Sequence, residues 1–229
     1  MSKHRDETIT CPKCGKQATF TIWQSVNTDI DPEMRDAVKN LSIFRFTCPN
    51  CGYTAHVNYD FLYHQMRDKI MIQYAESDDA VEVAKSMFSV EKIPEQMKFL
   101  LDDIIKDNYL IRIVRSQNEL REKIEIFDAG LDDRIIEIYK TFLLVNTSNQ
   151  FSNAKKIEMF FFQADGENLI QVLVDGESAG VAEINDEVYE GLQKDFLPLL
   201  PDIRKDDLII DRNYAFRCFS MYNKKKNGE

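Results

Sequence analysis

Two short stretches, Cys11-Pro12-Lys13-Cys14-Gly15 and Cys48-Pro49-Asn50-Cys51-Gly52, are near copies of one another. Each offers two thiolates across a tight turn, so the two together supply the four that a tetrahedral zinc ion accepts, at roughly 2.3 Å per bond. Proline after the first cysteine restricts the turn, and glycine after the second can take a positive φ that lets backbone N–H groups point at the sulfurs. Those N–H groups favour thiolate over thiol, the form that binds metal. A lone CxxC could serve as a redox dithiol. Two with matching Pro and Gly point instead to one closed four-cysteine site, with Cys11, Cys14, Cys48 and Cys51 holding a structural Zn2+. Rubredoxin-type iron is the chemical rival, because tetrahedral sulfur geometry admits both metals.

Other reactive side chains form no comparable set. His64, in Leu62-Tyr63-His64, is expected in the same sheet as Trp23, which makes Trp23, Tyr63 and His64 the candidate lining of a small aromatic pocket, the basis of an alternative reading as an enzyme or small-ligand-binding protein. A histidine satisfied by a backbone carbonyl is the commoner outcome for such a residue. His56 falls on the polar face of its strand and is expected in solvent; His4 lies in a polar tail. With three histidines and no neighbouring nucleophile, Cys-His or Ser-His catalysis has no support. Cys218 reads as a small apolar filler. The acidic pairs Asp102-Asp103 and Asp132-Asp133 read as solvated faces or complements to helix dipoles. There is no P-loop and no GxGxxG. No catalytic residue is assigned, and the reading leans away from an enzyme.

The two knuckles, together with Ile22-Trp23-Gln24-Ser25-Val26-Asn27, Asp31-Pro32, Phe44-Arg45-Phe46-Thr47 before the second knuckle, Tyr53 after it and Leu62-Tyr63-His64, resemble the CpXC family of prokaryotic proteins, named for these motifs. The resemblance covers residues 9–130, with Arg115, Leu120, Lys123, Ile124, Asp133 and Arg134 similar to its later part. It implies metal binding and a bacterial origin, and no activity, because the family carries none that is established.

Charge narrows the partners. The net charge is −10 over 229 residues, which opposes the attraction to phosphate that supplies most non-specific nucleic-acid binding. Locally, residues 1–60 carry seven bases and seven acids, and residues 76–107 carry nine acids against four bases. Only Lys224-Lys225-Lys226 forms a basic run. Nucleic acid is therefore disfavoured and a protein partner expected, with oligomeric state left open. The N-terminal Met1–Glu7 leads into no apolar segment, and no stretch is apolar enough to span a bilayer. Four of the five cysteines lie in CxxC pairs, which fits metal ligation in a reducing cytoplasm better than a disulfide framework.

The elements that must position the cysteines follow from periodicity. Ala18 to Asn27 alternates apolar and polar, predicting a strand after the first knuckle. Asp31-Pro32 predicts the start of a short helix over 32–39. Ile43–Thr47 and Tyr53–Tyr59 predict strands into and out of the second knuckle, and Lys69–Ala75 one more. Helices are predicted over 79–88 and 94–106, a buried strand over 109–114, and a helical hairpin. Its first helix opens at the capping box Ser116-Gln117-Asn118-Glu119, with Leu120, Ile124 and Phe127 inward, and ends at Gly130. Its second starts near Asp132-Asp133, with Ile135, Ile138, Tyr139 and Phe142 as its stripe. Polar residues 146–153 predict a linker. Asp165-Gly166 and Asp175-Gly176 then predict a three-stranded meander, followed by a helix over 186–196. The expected fold is α+β: a zinc-ribbon region (1–75), a helical region with one strand packed on the ribbon sheet (76–145), and a C-terminal antiparallel β-meander with a helix (146–229). Function is expected to be that of a non-enzymatic, cytoplasmic zinc-binding protein whose ribbon braces a protein-interaction or regulatory module.

Overall fold

The computed structural model describes residues 2–88, 108–147 and 152–227, which form an α+β fold. The chain divides into two compact units, Met1–Arg121 and Glu122–Glu229. This differs from the expected three parts: the division falls inside a helix. The expected helix over 94–106, Asp102-Asp103 and most of the expected linker lie outside the described residues.

The first unit is built on a five-stranded sheet of β1 (Lys3–Thr10), β2 (Gln17–Asn27), β5 (Phe61–Gln65), β6 (Ile70–Tyr74) and β7 (Leu110–Val114), in the order β1-β2-β5-β6-β7. Its pairings alternate: β1 with β2 and β5 with β6 antiparallel, β2 with β5 and β6 with β7 parallel. A separate two-stranded ribbon joins β3 (Arg45–Thr47) to β4 (Thr54–His56). Between β2 and β3 lie α1 (Met34–Lys39) and a 3-10 turn, Ser42–Phe44. The helix α2 (Asp78–Phe88) packs against β7. Strand β6 is buried on both faces save for half-buried Gln73, the mark of a covered central strand. The core gathers Val26, Val38, Phe44, Phe61, Tyr63, Ile72 and Tyr74, each at most 1% exposed.

Two parts of this unit depart from expectation. The polar N-terminal segment is strand β1, nearly all exposed, because an edge strand can be held by its backbone ladder to β2 without an apolar face. The expected strand over 43–47 begins with a 3-10 turn. Leu41, at φ 60°, turns the chain there, so Ile43 and Phe44 enter the core before pairing begins.

The second unit places a meander of β8 (Ile157–Ala164), β9 (Glu167–Val174) and β10 (Glu177–Glu183) with α4 (Asp133–Thr147), α5 (Asp186–Phe196) and α6 (Arg212–Asn227). Both Asp-Gly turns have positive φ at both residues, the primed hairpin geometry. The helix α3 (Gln117–Asp128) carries the chain across the division. Its capping box forms with a shift: Ser116 Oγ accepts from the Glu119 N–H at 3.1 Å, while the Glu119 carboxylate takes the N–H of Arg115 at 2.7 Å. Leu120 and Ile124 are buried, Phe127 partly so, and Gly130 at φ 70° ends the turn after the helix. The helical pair, expected on the ribbon sheet, shares one core with the meander: Ile126, Ile135, Ile138 and Tyr139 cluster with Met159, Phe161 and Ile170. Phe142, expected in the stripe, is 37% exposed.

Candidate metal centre

Each knuckle is the loop of a β-hairpin. Residues 11–16 connect the pair Thr10↔Gln17 of β1 and β2, and residues 48–53 connect the pair Thr47↔Thr54 of β3 and β4. The same two hydrogen bonds shape both loops. The Gly15 N–H donates to the Cys11 carbonyl at 2.9 Å and the Cys11 N–H to Lys16 O at 2.9 Å. Their counterparts are Gly52 N–H to Cys48 O at 3.0 Å and Cys48 N–H to Tyr53 O at 2.8 Å. Gly15 and Gly52 sit at φ 69° and 68°, where a Cβ would be strained, which explains glycine at both positions. Both hairpins belong to the first unit, so its folding brings two cysteine pairs, 34 to 40 residues apart in sequence, to one point.

All four Sγ atoms lie within 4.8 Å of one another. Cys11 Sγ is 3.7 Å from Cys51 Sγ, and Cys14 Sγ is 3.7 Å from Cys48 Sγ. Four sulfurs each roughly 2.3 Å from a central ion, arranged tetrahedrally, are roughly 3.8 Å apart. The donor set therefore suits a metal ion, with two of the sulfur pairs at that distance. The close pairs run between knuckles, so both hairpins are needed for the site. All four cysteines named from the sequence are brought together.

The surroundings favour thiolate at some sulfurs and thiol at others. Cys14 is lowered to about 6, first by the backbone N–H of Lys16, with Asn50 and the neighbouring thiols adding to it against the cost of burial. Cys48 is also lowered: burial opposes this, but the N–H groups of Asn50 and Cys51 outweigh it. Cys51 has a Tyr53 N–H of its own, yet burial and the other three sulfurs push it up to about 12. Crowded sulfurs without a cation share protons among themselves. A divalent ion at their centre removes that conflict. Lys16 Nζ donates to Asn50 Oδ1 at 2.7 Å, tying one knuckle to the other.

Behind the sulfurs the packing is aromatic. Cys11 and Cys48 are 1% exposed and cluster with Phe20 and Phe46. Phe20 meets Phe46 edge-on at 6.1 Å; Phe44 packs on Tyr59, Phe61 and Tyr74 at 5.0, 5.5 and 5.9 Å. Tyr59, whose hydroxyl donates to Ile43 O at 2.9 Å, is raised well above the usual phenol range, chiefly by burial.

The other residues singled out are scattered. Trp23 packs on His4, ring centroids 4.7 Å apart, so His4 is part of the sheet edge. His64 and Tyr63 point to opposite faces of β5, and Tyr63 is fully buried, its hydroxyl donating to Gln65 at 3.1 Å. Trp23, Tyr63 and His64 thus do not converge. His64 Nε2 lies 3.1 Å from the Tyr109 hydroxyl, and burial lowers its pKa. His56 is exposed, as its strand position predicts, but its Nδ1 lies 3.2 Å from Gln117 Oε1. Cys218 is 1% exposed in the second unit's core, its thiol raised by burial.

Comparison with known families decides the relationship. The CpXC family model matches residues 9–140, more than half of the chain. The chain belongs to the CpXC family. No curated protein and no solved structure matches it. The match runs from just before the first knuckle to Lys140 in α4, so the CpXC portion carries the whole cysteine cluster and extends into the second unit.

That second unit holds buried charges which the sequence did not disclose. Asp133 to Thr141 of α4 is buried without interruption. Lys140 Nζ pairs with Glu122 at 2.9 Å and Glu137 at 2.7 Å, and Glu122 also accepts the Phe161 N–H at 2.7 Å. Lys123 pairs with Asp133 at 2.8 Å and donates to Ile210 O at 3.1 Å. Arg134 is shared between Asp132 and Asp206 at 2.7 and 2.9 Å. Asp132 and Asp133, read as dipole complements, are ion-pair partners of Arg134 and Lys123. Burial pushes Glu137 up, helped by Glu122 and opposed by Lys140. The sequence held only charged residues interspersed with apolar ones on both helices, Glu122 in α3 and Asp133, Glu137 and Lys140 in α4, which read equally well as solvated faces.

Proposed function

We propose that this CpXC protein is a non-enzymatic zinc protein in which the four-cysteine site braces a module that docks on protein partners. One observation carries the reading: four sulfurs from two hairpin loops lie within 4.8 Å of one another, two of the pairs at 3.7 Å, the sulfur spacing of a filled tetrahedron. Such a set leaves no coordination position for water or substrate, which is the structural and not the catalytic pattern of zinc sites. The aromatic packing behind Cys11 and Cys48 supports a bracing role, because it ties the metal loops to the core of the same unit.

The balance of charge supports protein over nucleic acid as partner, and Val83 and Met87 on α2, 59% and 55% exposed, offer apolar contacts. No described helix is long and apolar enough to cross a membrane. Expression in a reducing compartment is consistent with cysteines that ligate a metal.

Metal analysis of the purified protein tests the assignment. One zinc per chain, lost together with ordered hairpin loops on chelation, is the expected result. A red protein with one iron per chain would replace zinc by the rubredoxin-type alternative, and retention of the native fold without metal would remove the bracing role. For the partner, native pull-down from cells of the source should recover the same protein with the wild type and lose it with V83D/M87D. Salt-sensitive binding to DNA or RNA near physiological ionic strength would overturn the protein-partner reading.

A further inference from the structure

The strand that leaves the second knuckle does more than close a hairpin. His56, at the end of β4, and Asn58 beyond it reach a concavity of about 320 Å³ in the first unit, also lined by Tyr74, Glu76, Arg115 and Gln117. That is the lower end of the size range of small-molecule sites.

A directional hydrogen-bond chain runs along its wall. Gln117, 8% exposed, donates its amide hydrogens to Val57 O at 3.2 Å and Asn58 Oδ1 at 2.9 Å. With both spent, Gln117 Oε1 is an acceptor, so the His56 Nδ1 3.2 Å away is the donor. Neutral His56 then keeps its lone pair on Nε2, which has no partner among the described residues. At the other end, Asn58 Nδ2 donates to Glu76 Oε1 at 2.8 Å, and the second Glu76 oxygen takes no hydrogen bond among the described residues. The chain therefore presents two acceptors, beside the second amide hydrogen of Asn58.

Among the described lining residues the one charge without an ion-pair partner is the Glu76 carboxylate. Arg115, the one cation among the described lining residues, is paired with Asp78, and its backbone N–H is taken by Glu119. Tyr74, 1% exposed, is pushed up to about 12, first by burial and then by Glu76 and Asp60.

We propose that this concavity binds a small ligand bearing a protonated amine, with the second Glu76 oxygen and His56 Nε2 as its acceptors. The proposal goes beyond the bracing role of the metal, and gives the brace a purpose, since β4 starts immediately after the second metal loop and carries His56.

Calorimetry and NMR titration of the metal-replete protein with n-butylamine, n-butanol and butyrate test it. The expected result is saturable binding of n-butylamine alone at millimolar concentration, with shifts of the His56 ring and the Gln117 side-chain amide. Glu76→Gln, which keeps the size of the side chain and its bond from Asn58, should weaken binding at least about tenfold. His56→Asn should weaken it by a smaller factor. Unchanged affinity in E76Q, equal binding of n-butanol, preferential binding of butyrate, or no saturable binding of the amine would each overturn the proposal. Metal content and melting of both variants, matched to wild type, distinguish loss of the site from loss of the fold. Failure here leaves the zinc content of the protein untouched, so the two readings stand or fall separately.

Discussion

Met1–Arg121 gathers four sulfurs at one point by two hairpin loops, apart from the buried Arg112, whereas Glu122–Glu229 buries carboxylates, ammonium groups and a guanidinium strung along α3, α4 and the segment before α6. The first arrangement needs an outside ion to be satisfied. The second satisfies itself, each buried charge having a partner of opposite sign within 3 Å. The two units should therefore respond to different insults. Metal binding is linked to folding where the ligands are far apart in sequence. A buried ion pair contributes little net stability but is costly to break on one side.

The largest test of that contrast is Cys14→Ser or exhaustive chelation. Residues 10–60 should lose their amide protection while the meander keeps its own, read by hydrogen exchange; collapse of both regions together would break the comparison. Next comes Lys140→Met, which strands Glu122 and Glu137 without their cation. It should cost the second unit about 3–5 kcal/mol in denaturant unfolding and leave metal content unchanged. Gly52→Ala should be milder. A Cβ there meets no atom within 4 Å, so the penalty is the left-handed backbone alone, about 1–2 kcal/mol confined to the first unit. The smallest effect is His64→Asn. Burial holds the folded-state pKa of His64 below its ordinary 6.5, so the unfolded chain binds the proton more readily. Stability from this group is present above pH 6.5 and lost as pH falls toward the lowered folded value. Wild type should then lose more stability than the variant on acidification from pH 7, measured by melting of the first unit.

Much of the local structure was legible because its causes are local. The alternation of Ala18 to Asn27 gave β2 within a residue, the Asp-Gly pairs gave both turns of the meander, and Ser116 with Glu119 gave the start of α3. What escaped was pairing and environment. Lys3–Thr10 looks like a tail because an edge strand with no buried face leaves no hydrophobic period. Tyr63 and His64 look like neighbours in a site, yet adjacent residues of a strand face opposite ways. Gln117 carries no pattern at all until β4 is set against the start of α3.

By itself the sequence determined which four cysteines are candidate metal ligands, since a cysteine pair in a CPxCG loop has the same chemistry wherever the loop is placed, and it determined the α+β class through the two periodicities of its segments. The tertiary structure alone decided that both cysteine loops close hairpins of one unit, that α3 and α4 share their core with the meander, and that Glu122, Glu137 and Lys140 are buried partners. A set of thiols suited to one metal ion is encoded by residue type and spacing. Which face of a helix water reaches, and which side chain lies opposite a buried charge, depends on contacts between residues distant in sequence, such as the 39 positions that separate Glu122 from the Phe161 N–H it accepts.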